Sequence, residues 1–251
     1  PMTPRTETGY DSYWLISYFQ ALAWLREFAP AKVDDFRAMT DVFRVPAAFR
    51  EVRVDNLLPQ ATLAEFRDVV AGLQESELET HEFLAFGRWV VHDHPIFTAA
   101  QDALCSRISE IVGEPLQRSY NFLALYNNLG VCDIHRDAPV AKWTVDICLE
   151  QSAPWPLHVG PVGPWVDPLD EAVDQGGIRS NPNFSAYSLA PGETLVFGGS
   201  AQWHYRQRIP RSQPQNFCNL LFLHYIPEGS AAVADPANWP DLLAEEALSS
   251  V

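Results

Sequence analysis

The chain reads as an α+β protein in which a helical front half supports an antiparallel, two-sheet β core of the jelly-roll kind. Three observations predict this. Up to Gly113, apolar residues recur at helical spacing, whereas after Pro115 the texture changes to short runs rich in β-branched and aromatic residues. Gly, Pro and Asn punctuate those runs, and no helical crossovers lie between them, which argues against a parallel α/β sheet.

The first predicted helix covers Tyr13 to Phe28, with Leu15, Tyr18, Phe19, Leu22 and Leu25 on one face and Pro30 as a stop. A second runs from Thr62 to Leu73. A third runs from Pro95 to Gly113, with Phe97, Leu104, Ile108 and Ile111 on one stripe and proline in the first turn. Strands are expected at Ser119–Tyr126, Trp143–Leu149, Leu157–Val159, Ala186–Leu189, Thr194–Phe197, His204–Ile209 and Asn216–Ile226. The stretch Gly160–Asn183, rich in Gly, Pro and Asp, reads as a long insertion between strands, and insertions of that length commonly cover a site. An acidic helix is expected in the tail after Pro236. The organisation is then 1–115 as mostly helical support, 116–227 as the β core with its 160–183 insertion, and 228–251 as a tail, together one domain.

Composition narrows the function. With 17 basic against 32 acidic residues the net charge is −15, which opposes docking on nucleic acid or anionic membrane and favours a small-molecule partner. No apolar run reaches membrane-spanning length. Cys105, Cys132, Cys148 and Cys218 are scattered, with no Cys-x-x-Cys pair, so reduced thiols are expected rather than a disulfide framework or zinc knuckle. The N-terminus lacks a charged-then-apolar leader, and Pro1 before Met2 reads as an expression remnant; a cytoplasmic location is expected.

Seven histidines compete for a metal role. His135-Arg136-Asp137 sets an imidazole and a carboxylate at i and i+2, which point to the same side of an extended chain. A second histidine from a distant strand would complete a two-histidine, one-carboxylate triad with open positions, the arrangement of non-haem iron(II) oxygen chemistry. His204 is the candidate, because the Pro191-Gly192-Glu193 turn, an apolar strand and the Gly198-Gly199 turn precede it; His224 is the fallback. His92 and His94 read as a helix-entry loop, and His158 as a pocket or core histidine. Taken singly, His135 and His204 would pass for a loop histidine and a hydrogen-bonded core histidine; the ordered pattern argues otherwise.

In that pattern the sequence resembles the iron(II)/2-oxoglutarate-dependent dioxygenase superfamily, in particular its prolyl-hydroxylase-like branch. Tyr126 stands nine residues before His135 with Gly130 between them, and the resemblance spans roughly 118–225. It implies a double-stranded β-helix core, Fe(II) held by His135, Asp137 and His204, and 2-oxoglutarate and O2 as co-substrates. It also implies oxidation of a substrate C–H bond with release of succinate and CO2. The carboxylate at Asp137 favours hydroxylation, desaturation or oxidative cyclisation over halogenation.

The family's basic anchor for the far carboxylate of 2-oxoglutarate falls about ten positions after the distal histidine, where this chain has Pro214, and the strand Asn216–Ile226 holds no Arg or Lys. Arg206 and Arg208, which share the parity of His204 on a regular strand, are the expected substitutes, with Arg211 behind them. Tyr126 and Asn128 are expected as further polar contacts to 2-oxoglutarate, and Tyr120, Lys142, Trp143, Trp203 and Arg211 as substrate-pocket residues. The substrate is expected to be an amino-acid-like or other small metabolite. Two rival readings stand beside this one: an iron oxygenase or oxidase without 2-oxoglutarate, and a metal-free jelly-roll binding module.

Overall fold

α1 (Tyr13–Phe28) opens the computed structural model, which describes residues 13–165, 183–211, 215–245 and 248. It buries Trp14, Leu15, Tyr18, Ala21, Leu22 and Leu25, the face that helical spacing predicts. With α2 (Val33–Thr40) it encloses an aromatic cluster in which Trp14 meets Phe43, Trp165 and Trp239 edge to face, at centroid distances of 5.5, 5.4 and 5.1 Å.

α3 (Gln60–Gly72), the short α4 (Phe83–Phe86) and α5 (Pro95–Val112) follow. α5 begins with Pro95 after His94, whose Nδ1 accepts from the Ile96 amide at 3.4 Å, and it stops at Gly113 with φ 80°. His94 is thus a helix-entry residue, as expected from sequence.

The strands form two antiparallel sheets. β1 (Val52–Val54), β8 (Thr194–Phe197), β5 (Trp143–Gln151), β10 (Cys218–Pro227), β3 (Leu116–Tyr126) and β2 (Arg88–His92) lie side by side in that order. The second sheet has the order β4 (Cys132–His135), β9 (Gln202–Arg206), β6 (Leu157–Val162) and β7 (Ser185–Tyr187). The front half therefore contributes strands as well as helices, since β1 and β2 join the larger sheet. Both are short, at three and five residues, so they gave little periodic signal.

β5 is buried on both faces, and its alternation divides the core. Trp143, Val145, Ile147 and Leu149 pack outward against Leu63 and Phe66 of α3 and Phe97 and Ile108 of α5. Cys148 on the opposite parity joins Ala124, Tyr126, Leu195, Phe197 and Leu220 of the larger sheet and Leu157 and Val159 of the smaller one, an apolar cluster between the two sheets. Thr144 and Asp146 share that inner parity, so polar groups on this face point to the space between the sheets.

Several boundaries differ from expectation, two of them with consequences. β9 ends at Arg206, so strand parity does not extend to Arg208. Among its described residues the tail holds two short α-helices, α6 (Ala231–Ala234) and α7 (Trp239–Leu243), the second closed by Ala244 at φ 53°. Of the expected insertion, 160–162 complete β6 and Trp165 is buried against α1; 166–182 lie outside the described residues, as does Pro214.

Candidate metal centre

His135 ends β4 and His204 sits within β9, and the two are register partners across the antiparallel pair, with ring centroids 4.2 Å apart. Asp137 follows two residues later, its amide donating to the Gly199 carbonyl at 3.0 Å. Its Oδ1 lies 3.5 Å from His135 Nε2 and 3.6 Å from His204 Nε2. Among the described residues these three form the group of potential ligands, with donor atoms within 4.8 Å of one another.

Both imidazoles are oriented the same way. His135 Nδ1 lies 2.8 Å from the Asp133 carbonyl, and His204 Nδ1 lies 2.9 Å from that of Gln202, in each case the carbonyl two residues upstream. A carbonyl only accepts, so each Nδ1 carries a hydrogen and each Nε2 is turned toward Asp137 Oδ1, where it can bind a metal once it has lost its own proton. That is the second-sphere pattern by which proteins preset histidine ligands. Burial opposes ionisation of Asp137, yet His204 and His135 hold its carboxyl well below the ordinary carboxylate range.

The other oxygen of this carboxylate, Oδ2, accepts from Thr144 Oγ1 at 2.8 Å. Gly199 makes room for the contact, since a Cβ there would stand 2.2 Å from both Asp137 Oδ2 and Thr144 Oγ1 and 2.9 Å from the Ala141 carbonyl.

Beyond the triad lies a buried polar cluster. Arg206, the register partner of Cys132, donates to Asp146 Oδ2 at 2.5 Å and to the Trp155 carbonyl, and its guanidinium lies 5.1 Å from the Trp155 ring centroid. Asp146 Oδ1 is buried with no hydrogen-bond partner, and burial, against the pull of Arg206, raises its carboxyl above the usual value. Tyr126 Oη accepts from Arg88 at 2.5 Å, and Arg88 also pairs with Glu82. Burial pushes the Tyr126 hydroxyl far up despite Arg88, so it stays protonated. Burial works against ionisation of the Cys132 thiol, but the charges of His135, Arg88 and Arg206 together pull it below its ordinary value.

Several expected site residues lie elsewhere. Arg208 and Arg211 are exposed; Arg208 donates to the Leu129 carbonyl at 3.2 Å beyond the end of β9. Lys142 turns its ammonium to the Val42 carbonyl at 2.7 Å and Glu114 at 2.6 Å. Trp143 faces the helices, with its indole N–H on Glu114, because strand alternation sends it away from Thr144. Trp203 alternates away from His204 and stacks under Arg136 at 4.6 Å. Asn128 Oδ1 accepts the Asn216 amide at 2.5 Å, tying two loops. Tyr120 does lie near the centre, stacked on His224 at 4.3 Å.

Arg88, Thr144 and Asp146 were not singled out from sequence, and Gly199 only as part of the turn before His204. Thr144 and Asp146 had a signal, two polar residues at period two within the apolar run Trp143–Leu149. Arg88 lies outside the span of the family resemblance and had none.

No protein-family description matches the sequence, and no curated relative is found. Solved structures are similar in fold. HygX from Streptomyces hygroscopicus, with nickel and 2-oxoglutarate bound, is 13% identical with a TM-score of 0.54, over 71% of this chain and 83% of that one. AviO1 from Streptomyces viridochromogenes is 14% identical with a TM-score of 0.54, over 76% and 95%. The non-haem alpha-ketoglutarate-dependent epimerase SnoN from nogalamycin biosynthesis is 15% identical with a TM-score of 0.53, over 82% and 88%. At these identities the likeness is one of fold, a mixed helical and antiparallel-sheet architecture shared with 2-oxoglutarate-dependent non-haem iron enzymes.

Proposed function

We propose that the protein is an iron(II)- and 2-oxoglutarate-dependent oxygenase with a jelly-roll core, which oxidises a C–H bond of a small metabolite. The observation that carries this reading is the convergence of two preset Nε2 atoms and Asp137 Oδ1, the donor set of a two-histidine, one-carboxylate facial site. The donors suit iron(II): borderline imidazole nitrogens and a hard carboxylate, with no thiolate among the three. Iron held there supplies activation of O2 coupled to oxidative decarboxylation of 2-oxoglutarate to succinate and CO2.

The protein's own part is to hold and orient. Arg206 offers the positive charge for the far carboxylate of 2-oxoglutarate, with its plane fixed by Asp146 and the Trp155 carbonyl. Tyr126 accepts from Arg88 and so keeps its hydroxyl hydrogen for a carboxylate oxygen, and Arg88 adds a second buried charge. The apolar cluster between the sheets excludes water from this region. An amino-acid-like or other small substrate fits the acidic chain, and HygX, solved with hygromycin B bound, is a neighbour with a small-molecule ligand. A cytoplasmic enzyme with its helices and sheets in one catalytic domain is the corresponding picture.

Anaerobic addition of iron(II) and 2-oxoglutarate tests the reading: a visible charge-transfer band should form, and His135→Ala should abolish it. An unchanged spectrum on addition to the native protein overturns it. Two observations favour a second reading, iron without 2-oxoglutarate: Arg206 is already paired with the buried Asp146, and β10 carries no Arg or Lys. Substrate oxidation without stoichiometric succinate would establish that alternative.

A further inference from the structure

Behind the carboxylate of the metal triad runs a buried polar chain. Thr144 Oγ1 has one hydrogen, and its 2.8 Å contact with Asp137 Oδ2, a carboxylate oxygen that only accepts, takes it. The 3.2 Å contact between Thr144 Oγ1 and His224 Nδ1 must then run the other way, with the imidazole donating. His224 therefore carries a hydrogen on Nδ1, while its Nε2 is buried with no hydrogen-bond partner, the setting of the lone-pair nitrogen of a neutral ring. Burial agrees, since it pushes this histidine down to about 4.

His224 is in turn held by ring stacking and through its backbone carbonyl. Tyr120 stacks on its ring at 4.3 Å and Phe122 at 5.6 Å. Between the pairs Leu223–Asn121 and Tyr225–Arg118 the β10–β3 register shifts by one residue, and buried Gln101 fills the irregularity, donating to the carbonyls of His224 at 2.7 Å and Tyr120 at 3.0 Å. Tyr225 Oη returns a bond to the Gln101 carbonyl at 2.8 Å. Among the described residues, this network reaches the triad through the Thr144 hydroxyl.

We infer that Thr144, set by His224, is a positioning residue that binds Asp137 through Oδ2 and so confines this carboxylate to one metal-binding oxygen, Oδ1. The inference rests on the metal reading given above. A free carboxylate can bind a metal through one oxygen or both. Engagement of Oδ2 prevents the second mode, which would take a coordination position that the facial site must leave open for co-substrates. Gly199 is the matching requirement on the other side, since any Cβ there would enter the Oδ2–Oγ1 contact.

Cobalt(II) is the probe, because its d–d absorption reports coordination number without turnover. The native protein should bind it and His135→Ala should not; if the native protein fails to bind, the metal reading falls and this inference with it. Given native binding, Thr144→Val should weaken cobalt affinity about tenfold, the scale of outer-shell substitutions. It should also move the d–d bands toward a higher coordination number, and Thr144→Ser should restore both. Native affinity and spectrum in folded Thr144→Val overturn the inference while leaving the metal site standing. If Thr144→Val does not fold, His224→Leu carries the test: it should weaken binding severalfold with the same spectral direction, and native behaviour there overturns the inference.

Discussion

Gly199 and Asp137 are held against each other twice: the Gly199 carbonyl accepts the Asp137 amide at 3.0 Å, and the bare Cα of Gly199 leaves the space that Asp137 Oδ2 occupies. The glycine turn before β9 is therefore part of the proposed metal centre, although it donates no ligand. The smallest possible side chain at this position should displace the carboxylate. Gly199→Ala is expected to lower iron(II) or cobalt(II) affinity by at least about tenfold, on the scale of outer-shell losses, as read by metal titration of the folded variant.

The Arg206–Asp146 pair is fully buried, so its two members should not be separable. Arg206→Met leaves Asp146 as an uncompensated buried carboxylate and is expected to cost about 3–5 kcal/mol in denaturant unfolding. Arg206→Met with Asp146→Leu should recover most of that loss while leaving 2-oxoglutarate binding impaired. Recovery of both in the double variant would remove Arg206 from the co-substrate site.

His224 predicts an acid limb in the stability profile. Burial depresses its value to about 4, so the unfolded chain, with the ordinary histidine value of about 6.5, binds the proton more readily. Its contribution is complete above about pH 6.5 and is lost as pH falls toward about 4, a loss on the order of 3 kcal/mol. His224→Leu should flatten the unfolding free energy between these two pH values in the metal-free protein; an unchanged slope would contradict the assignment.

Trp143 should behave as a structural residue. It is wholly buried against the helices and faces away from the triad. Trp143→Ala should cost about 3–5 kcal/mol of stability and leave cobalt(II) affinity and spectrum at native values, as checked by paired melting and metal titrations.

The long helices were legible because amphipathic spacing is local: α1 has the predicted bounds, and α3 and α5 shift by no more than about two residues, the ordinary uncertainty of helix ends. The strand texture after Pro115 was legible for the same reason. β1, β2 and β4 were not, being three to five residues long and defined by partners far away in sequence. The triad was readable because His-x-Asp is a local geometric statement and His204 follows a recognisable turn and strand, and the structure brings all three donors within 4.8 Å.

What the sequence determined by itself is therefore the residue chemistry and the periodicity: helices in front, short strands behind, and a carboxylate with two histidines available to one metal. Tertiary structure alone decided the surroundings. Arg208 and Arg211 lie beyond the end of β9, and Lys142 turns to Glu114 and the Val42 carbonyl. Arg88 entered through pairing of β2 with β3, and Thr144, His224 and Gly199 through contacts spanning many residues of chain. Ligand identity is a property of side chains, but the tautomer of an imidazole, the free oxygen of a carboxylate and the counter-charge of an arginine belong to neighbours that only the folded chain assembles.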